Sequence, residues 1–152
     1  MSADGLTSFS YETYIRATPE QVWSAITDPE QTRRYWYSAL NRSEWTPGAR
    51  WTSEDEEGEL FLEGEIVEVE RPHLLVHTFH VVHEPAAAAE LPSLLRWQVT
   101  PMGDASRLML VHEQMGERTV DYTRGGWELI LSGLKTLLET GTPLKVGAPA
   151  TM

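Results

Sequence analysis

The segment Phe9–Trp23, FSYETYIRATPEQVW, changes its period halfway along. Phe9, Tyr11, Thr13, Ile15 and Ala17 share one parity, which predicts a half-buried strand over Phe9–Ala17. Thr18-Pro-Glu-Gln then supplies a helix start: a hydroxyl to cap, a proline where no N–H is needed, and Gln21 placed to close a capping box. Val22, Trp23 and Ile26 give that helix its apolar side. Asp28-Pro-Glu-Gln repeats the formula and predicts a second short helix to about Tyr37. A strand that runs into two short helices meeting at a corner sets the plan for the rest of the chain.

From Trp45 to Glu113 the pattern is that of strands: Ala49–Ser53, Leu60–Val69, Leu74–Val82, Leu94–Pro101 and Arg107–Glu113. Pro47-Gly48, the charged tip Glu54–Gly58, Arg71-Pro72 and Met102–Ser106 separate them. Glu84–Pro92 (EPAAAAELP) reads as a loop with room for one helical turn in the alanines. In the last segment, about Thr119–Thr140, Trp127, Ile130, Leu131, Leu134, Leu137 and Leu138 recur at helical spacing until Gly141 and Pro143 stop it. The expected class is α+β: a curved antiparallel sheet of about six strands, two short helices, and a long C-terminal helix over a cavity. No internal repeat or linker divides the chain, so one domain over residues 1–152 is expected, with its core at about 9–140.

The totals narrow the partners. A net charge of −11 opposes non-specific binding to nucleic acid or anionic membranes. With no cysteine, a disulfide framework, a thiol nucleophile and a thiolate metal site are all excluded. MSADGLTSFSYETY carries no basic and apolar leader, and no apolar run approaches the ~20 residues of a membrane helix. A cytoplasmic protein without membrane insertion is the expectation.

Several segments, taken in order, resemble the SRPBCC, or START-like, helix-grip superfamily. They are Tyr14–Trp23, Ile26–Glu30, Tyr35-Trp36, Pro47-Gly48, Gly64–Val69, Leu74–Phe79, Leu108–Glu113 and Gly126–Leu134. Within it the chain is most similar to the branch named after the activator of the 90-kDa heat-shock protein ATPase (AHSA-like). The resemblance runs from about Phe9 to Glu139, and departs from the family at His77 and in the alanine-rich loop 85–92. It implies the helix-grip fold. It does not single out a function, because the superfamily hosts transfer proteins, hydratases, cyclases and co-chaperones on one frame.

Three of the five histidines lie in His77–Glu84, HTFHVVHE. On a strand, His77 and His83 face one way and His80 the other, so they cannot converge on one ion, and no metal or other cofactor is expected. His77 shares the inward face with Leu75 and Phe79. His112 alternates inward with Leu108 and Leu110, opposite Leu95, Trp97 and Val99. Both histidines read as hydrogen-bonded core residues, or as polar groups that orient a ligand. The carboxylates at 54–59 form a solvated tip, and no phosphate loop, nucleophile elbow or catalytic triad is present, so no catalytic residue is assigned.

Six tryptophans in 152 residues supply bulky aromatic walls. The expected cavity surface is formed by Trp36, Trp51, Phe61, His77, Phe79, Trp97, His112, Trp127, Leu131 and Leu134. At Phe61, Leu60 and Leu62 compete for the same inward position. An apolar pocket with few polar groups suits a small hydrophobic or amphipathic ligand, and non-enzymatic binding is the first expectation. The resemblance implies a second: a co-chaperone-like protein-interaction module with a protein partner and a stress-response role. Against it, the eukaryotic activator carries an additional N-terminal domain that these 152 residues are not expected to hold. A cavity enzyme of the cyclase or hydratase type is the third, and the sequence identifies no acid or base for it. Ligand identity and oligomeric state are not encoded in any motif.

Overall fold

The computed structural model describes residues 5–146; the remainder of the 1–152 span lies outside the described residues. Seven strands form one antiparallel sheet in the order β1-β7-β6-β5-β4-β3-β2. They are β1 (Thr7–Ile15), β2 (Leu40–Ser43), β3 (Arg50–Glu54), β4 (Leu60–Glu70), β5 (Leu74–Val81), β6 (Ser93–Met102) and β7 (Ala105–Met115). The α+β helix-grip plan holds, with seven strands in place of about six. The added strand is β2, four edge residues (LNRS) too short and too polar to announce themselves by alternation.

The local signals at the first corner act as their chemistry predicts. Thr18 Oγ1 accepts from Gln21 N at 3.2 Å, and Gln21 Oε1 accepts from Thr18 N at 2.8 Å, which starts α1 (Pro19–Thr27). Such a cap stabilises a helix by about 1 kcal/mol. Asp28 then caps α2 (Pro29–Tyr35) through Glu30 N at 2.9 Å. The alanine loop forms one short turn, α3 (Pro85–Ala88).

The C-terminal segment is not one helix from about Thr119. It divides into α4 (Glu117–Thr123) and α5 (Gly126–Thr140), because Gly125 turns into the left-handed region at φ 77°. Helical periodicity continues on both sides of this break, so the apolar pattern alone does not reveal it. α5 lays Trp127, Ile130, Leu131, Leu134 and Leu137 on the concave side of the sheet.

Register shifts bend the sheet at Thr7/Phe9, Ser53/Glu54 and Ile66/Glu68. Inward parity follows for Trp51 and Ser53, Leu62 and Ile66, and Leu75, His77, Phe79 and Val81. The hairpin of β6 and β7 adds Ser93, Leu95, Trp97 and Val99 opposite His112, Leu110 and Leu108. Its register pairs Leu95 with His112 and Trp97 with Leu110, as the alternation predicts.

Candidate functional site

A cavity of about 400 Å³ lies between the β3–β5 part of the sheet and the junction of α4 with α5. Trp36, Phe61, Phe79 and Trp127, four of the residues expected from sequence, line it. Trp51, His77, Trp97, His112, Leu131 and Leu134 do not; they are buried in the packed interior beside it. The rings nevertheless form one connected surface. Trp36 meets Trp127 edge-on at 5.3 Å and Trp97 at 6.0 Å, and Phe79 bridges Trp127 at 5.8 Å and Trp51 at 6.3 Å.

Phe61 reaches the cavity although Leu62, its neighbour, holds the inward position. Ser53 pairs with Leu62 but Glu54 with Leu60, so Phe61 is the extra residue of a bulge. Bulges re-aim side chains, and this one brings two consecutive residues to the cavity. At the lip, His83 lies between Phe61 and Tyr122, with ring centroids 4.8 and 5.3 Å away. Tyr37, 65% exposed, and Arg124 complete a mouth open to solvent. Arg124 is paired with Asp121 at 3.1 Å. Burial, with the Glu84 charge second, raises the Tyr122 hydroxyl above its usual pKa.

The α4 wall is held from outside the helix. The Glu90 carboxylate accepts from Arg118 N at 2.9 Å and from both Thr119 N and Thr119 Oγ1 at 2.8 Å. Burial alone would raise this carboxyl, but those donors outweigh it and hold it below the ordinary range.

The two inward histidines sit under the cavity in closed hydrogen-bond chains. Trp97 Nε1–H donates to His77 Nε2 at 3.0 Å, and His77 Nδ1–H donates to the Thr78 carbonyl at 2.9 Å. Trp51 Nε1–H shares that carbonyl at 2.7 Å. Its indole passes over Gly64, where a Cβ would stand 2.3 Å from Nε1 and 2.1 Å from the Thr78 oxygen. In the second chain Trp127 Nε1–H donates to His112 Nδ1 at 3.1 Å, His112 Nε2–H to Ser93 Oγ at 2.7 Å, and Ser93 O–H to the Phe79 carbonyl at 3.1 Å. Each ring accepts on one nitrogen and donates from the other, so each is neutral. Burial, opposed by the Thr78 bond, lowers His77 to about 4. Burial, and then the repulsion that a protonated His77 would exert, lower His112 to about 3.

His83, of the same parity as His77, lies beyond the end of β5 at the lip, while His80 Nε2 reaches the Ala88 carbonyl at 3.0 Å. Among the described residues no cluster of three His, Cys, Asp or Glu side chains could hold a metal ion, and no helix is long and apolar enough to cross a membrane.

Sequence reasoning missed Tyr37, Tyr122, Ile130 and Ser53 at the cavity. Tyr122 was hidden by reading one helix through Gly125. Ser53 was within reach, since it shares a strand face with Trp51.

Residues 16–139 match the family model described as Activator of Hsp90 ATPase homolog 1-like protein. No curated protein matches the sequence. Solved structures share the fold at low identity. Protein MLL2253 from Mesorhizobium loti is 24% identical with a TM-score of 0.73, covering 87% of this chain and 96% of that one. CalU16 from Micromonospora echinospora is 22% identical with a TM-score of 0.72, covering 90% and 76%. PFC0360w, an HSP90 activator from Plasmodium falciparum, is 20% identical with a TM-score of 0.70, covering 91% and 99%.

Proposed function

We propose that this chain, which belongs to the family of Activator of Hsp90 ATPase homolog 1-like proteins, binds a small apolar or amphipathic molecule in the cavity between its sheet and the α4–α5 junction. The observation that carries the reading is an aromatic-walled cavity of about 400 Å³ whose mouth reaches solvent between Tyr37, His83 and Tyr122. That volume is at the lower end of the range for small-molecule sites, and its apolar walls with few polar groups are typical of them. Affinity comes from apolar surface removed from water, at about 25 cal/mol per Å², against the cost of immobilising the ligand. Catalysis in the cavity is less well supported. His77 and His112 have both ring nitrogens committed to partners and would have to break those bonds to move a proton.

A neutral fluorescent probe such as Nile red tests the reading. Saturable one-to-one binding to folded protein is expected, weakened about fivefold or more in Ile130→Phe, which puts a ring into the cavity wall at a cost of about 1 kcal/mol or more to the bound state. A native mass spectrum of freshly purified protein should also show a co-purified small molecule. No saturable binding, with the variant indistinguishable from wild type, sinks it.

The second reading is a protein-interaction module, favoured by the family description and by the resemblance in fold to the Plasmodium falciparum activator. A purified 90-kDa heat-shock protein whose ATPase rate rises on addition of this chain would favour it over the first.

A further inference from the structure

Where the cavity meets β3 its wall is polar and unfinished. Ser53 is 1% exposed and lines the cavity; Asn41, 2% exposed and not itself a lining residue, is its direct cross-strand partner on β2. Directly opposed residues of an antiparallel pair project to the same face. Ser53 Oγ and Asn41 Oδ1 are the buried side-chain atoms with no hydrogen-bond partner among the described residues. The groups that flank the pair supply none. Leu62, on the other side of Ser53, is apolar. The nearby Thr32 hydroxyl already donates to the Ala39 and Pro29 carbonyls, at 3.0 and 3.2 Å, and accepts from Asn41 N at 3.1 Å. Leaving a buried hydroxyl and amide oxygen unpaired is unfavourable, and native proteins rarely do it without a purpose.

We infer that Asn41 and Ser53 receive the polar end of the ligand, and that this end is an uncharged hydroxyl on a flat aromatic body. The inference rests on the cavity being a ligand site. A hydroxyl accepts from Ser53 O–H and donates to Asn41 Oδ1 at once, and it serves either orientation of the Asn41 amide. A carboxylate would be disfavoured, because it offers Asn41 Oδ1 no proton and Arg124, the cation lining the cavity, is at the exposed mouth and paired with Asp121. The flat body follows from the walls: Phe79, Trp127 and Trp36 present ring faces and edges, and Phe61 with Tyr122 frames the entry. The ligand thus enters hydroxyl first, with its apolar rings left among the aromatics.

Calorimetric or fluorescence titration with naphthalene, 2-methoxynaphthalene, 2-naphthol and 2-naphthoate tests this. 2-Naphthol should bind about 10-fold more tightly than naphthalene, the worth of two neutral hydrogen bonds. 2-Methoxynaphthalene accepts but cannot donate, so it should lose about half of that gain in free energy, binding about threefold more weakly than 2-naphthol, and 2-naphthoate should bind most weakly. Ser53→Ala removes one of the two bonds and should bring 2-naphthol to within about threefold of naphthalene measured on the same variant, on the same hydrogen-bond arithmetic. Equal affinity of wild type for naphthalene and 2-naphthol, both saturable, overturns the polar-end assignment and leaves the cavity reading intact. Saturable binding of none of the four overturns the cavity reading and this inference with it. The wild-type series decides between these outcomes even if the variant does not fold.

Discussion

On the β5–β7 side of the interior, the indole N–H groups of Trp97 and Trp127 end on histidine nitrogens, and the chains they begin end on backbone carbonyls. On the β2–β4 side, Asn41 Oδ1 and Ser53 Oγ have no partner among the described residues, and beside Ser53 the packing opens into the cavity. Both regions are lined by aromatic side chains, and Phe79 and Trp127 border both, so composition does not separate them. What separates them is closure. A closed polar chain fixes ring orientation and tautomer and leaves no capacity for a ligand. An open one leaves capacity at a defined point. On the proposed ligand-binding reading, the first region is scaffold and the second is where specificity is set.

The largest expected effect tests whether the two regions differ in stability. Trp97→Ala should cost about 3–5 kcal/mol and Leu134→Ala about 2–5 kcal/mol, because both are buried in packed surroundings. Phe61→Ala, at the half-buried lip of the cavity, should cost about 1 kcal/mol or less, since little packing closes over it. Denaturant midpoints of the three variants check this. Equal losses at all three would show that the cavity wall packs as tightly as the core.

The contrast between the regions also marks how far the sequence can be read. The capping box at Thr18, the repeat of its formula at Asp28 and the β6–β7 register are local signals, decided by neighbours within a few residues. The pairing of His112 with Ser93 was legible in principle. Once Leu95 opposes His112, Ser93 is its diagonal neighbour on the same face. The cavity was harder to read because its shape depends on two irregularities. The bulge at Phe61 breaks strand parity, and the left-handed Gly125 turns α4 away from the axis of α5. Neither leaves a periodic trace. Four expected residues line the cavity and six lie in the packed region, because parity states which side of the sheet a residue faces and not whether that side is filled.

Acid should act on the closed region through the histidines. Each ring is neutral in the folded chain, with His77 near 4 and His112 near 3, against 6.5 for an unburied histidine. Below pH 6.5 the unfolded chain therefore binds more protons than the folded one, so stability falls as pH falls. The loss continues until pH reaches the folded values. Each group contributes up to about 1.4 kcal/mol per pH unit in that window, or roughly 2–3 kcal/mol per unit for the pair. Urea melts at half-unit steps from pH 7.5 to 5 should show this limb beginning well above the carboxylate range. A flat profile over that interval would mean that the rings are free to protonate in place and that the chains are not closed.

The smallest effect gives the sharpest comparison, because it sets one residue type against itself. Ser93 and Ser53 are both buried inward-facing strand serines, at 2% and 1% exposure. Ser93 Oγ accepts from His112 and donates to the Phe79 carbonyl, so Ser93→Ala strands a buried imidazole N–H and should cost about 1–3 kcal/mol. Ser53 Oγ has no partner among the described residues. Replacing it with a methyl hydrogen removes an unpaired polar atom from an apolar surround, and Ser53→Ala should fall within about 0.5 kcal/mol of wild type or be more stable. Thermal and denaturant melts of the two variants in parallel measure the difference. If Ser53→Ala loses as much as Ser93→Ala, the Ser53 hydroxyl is already satisfied in the ligand-free protein, and the division of the interior into closed and open regions fails at the point where it matters most.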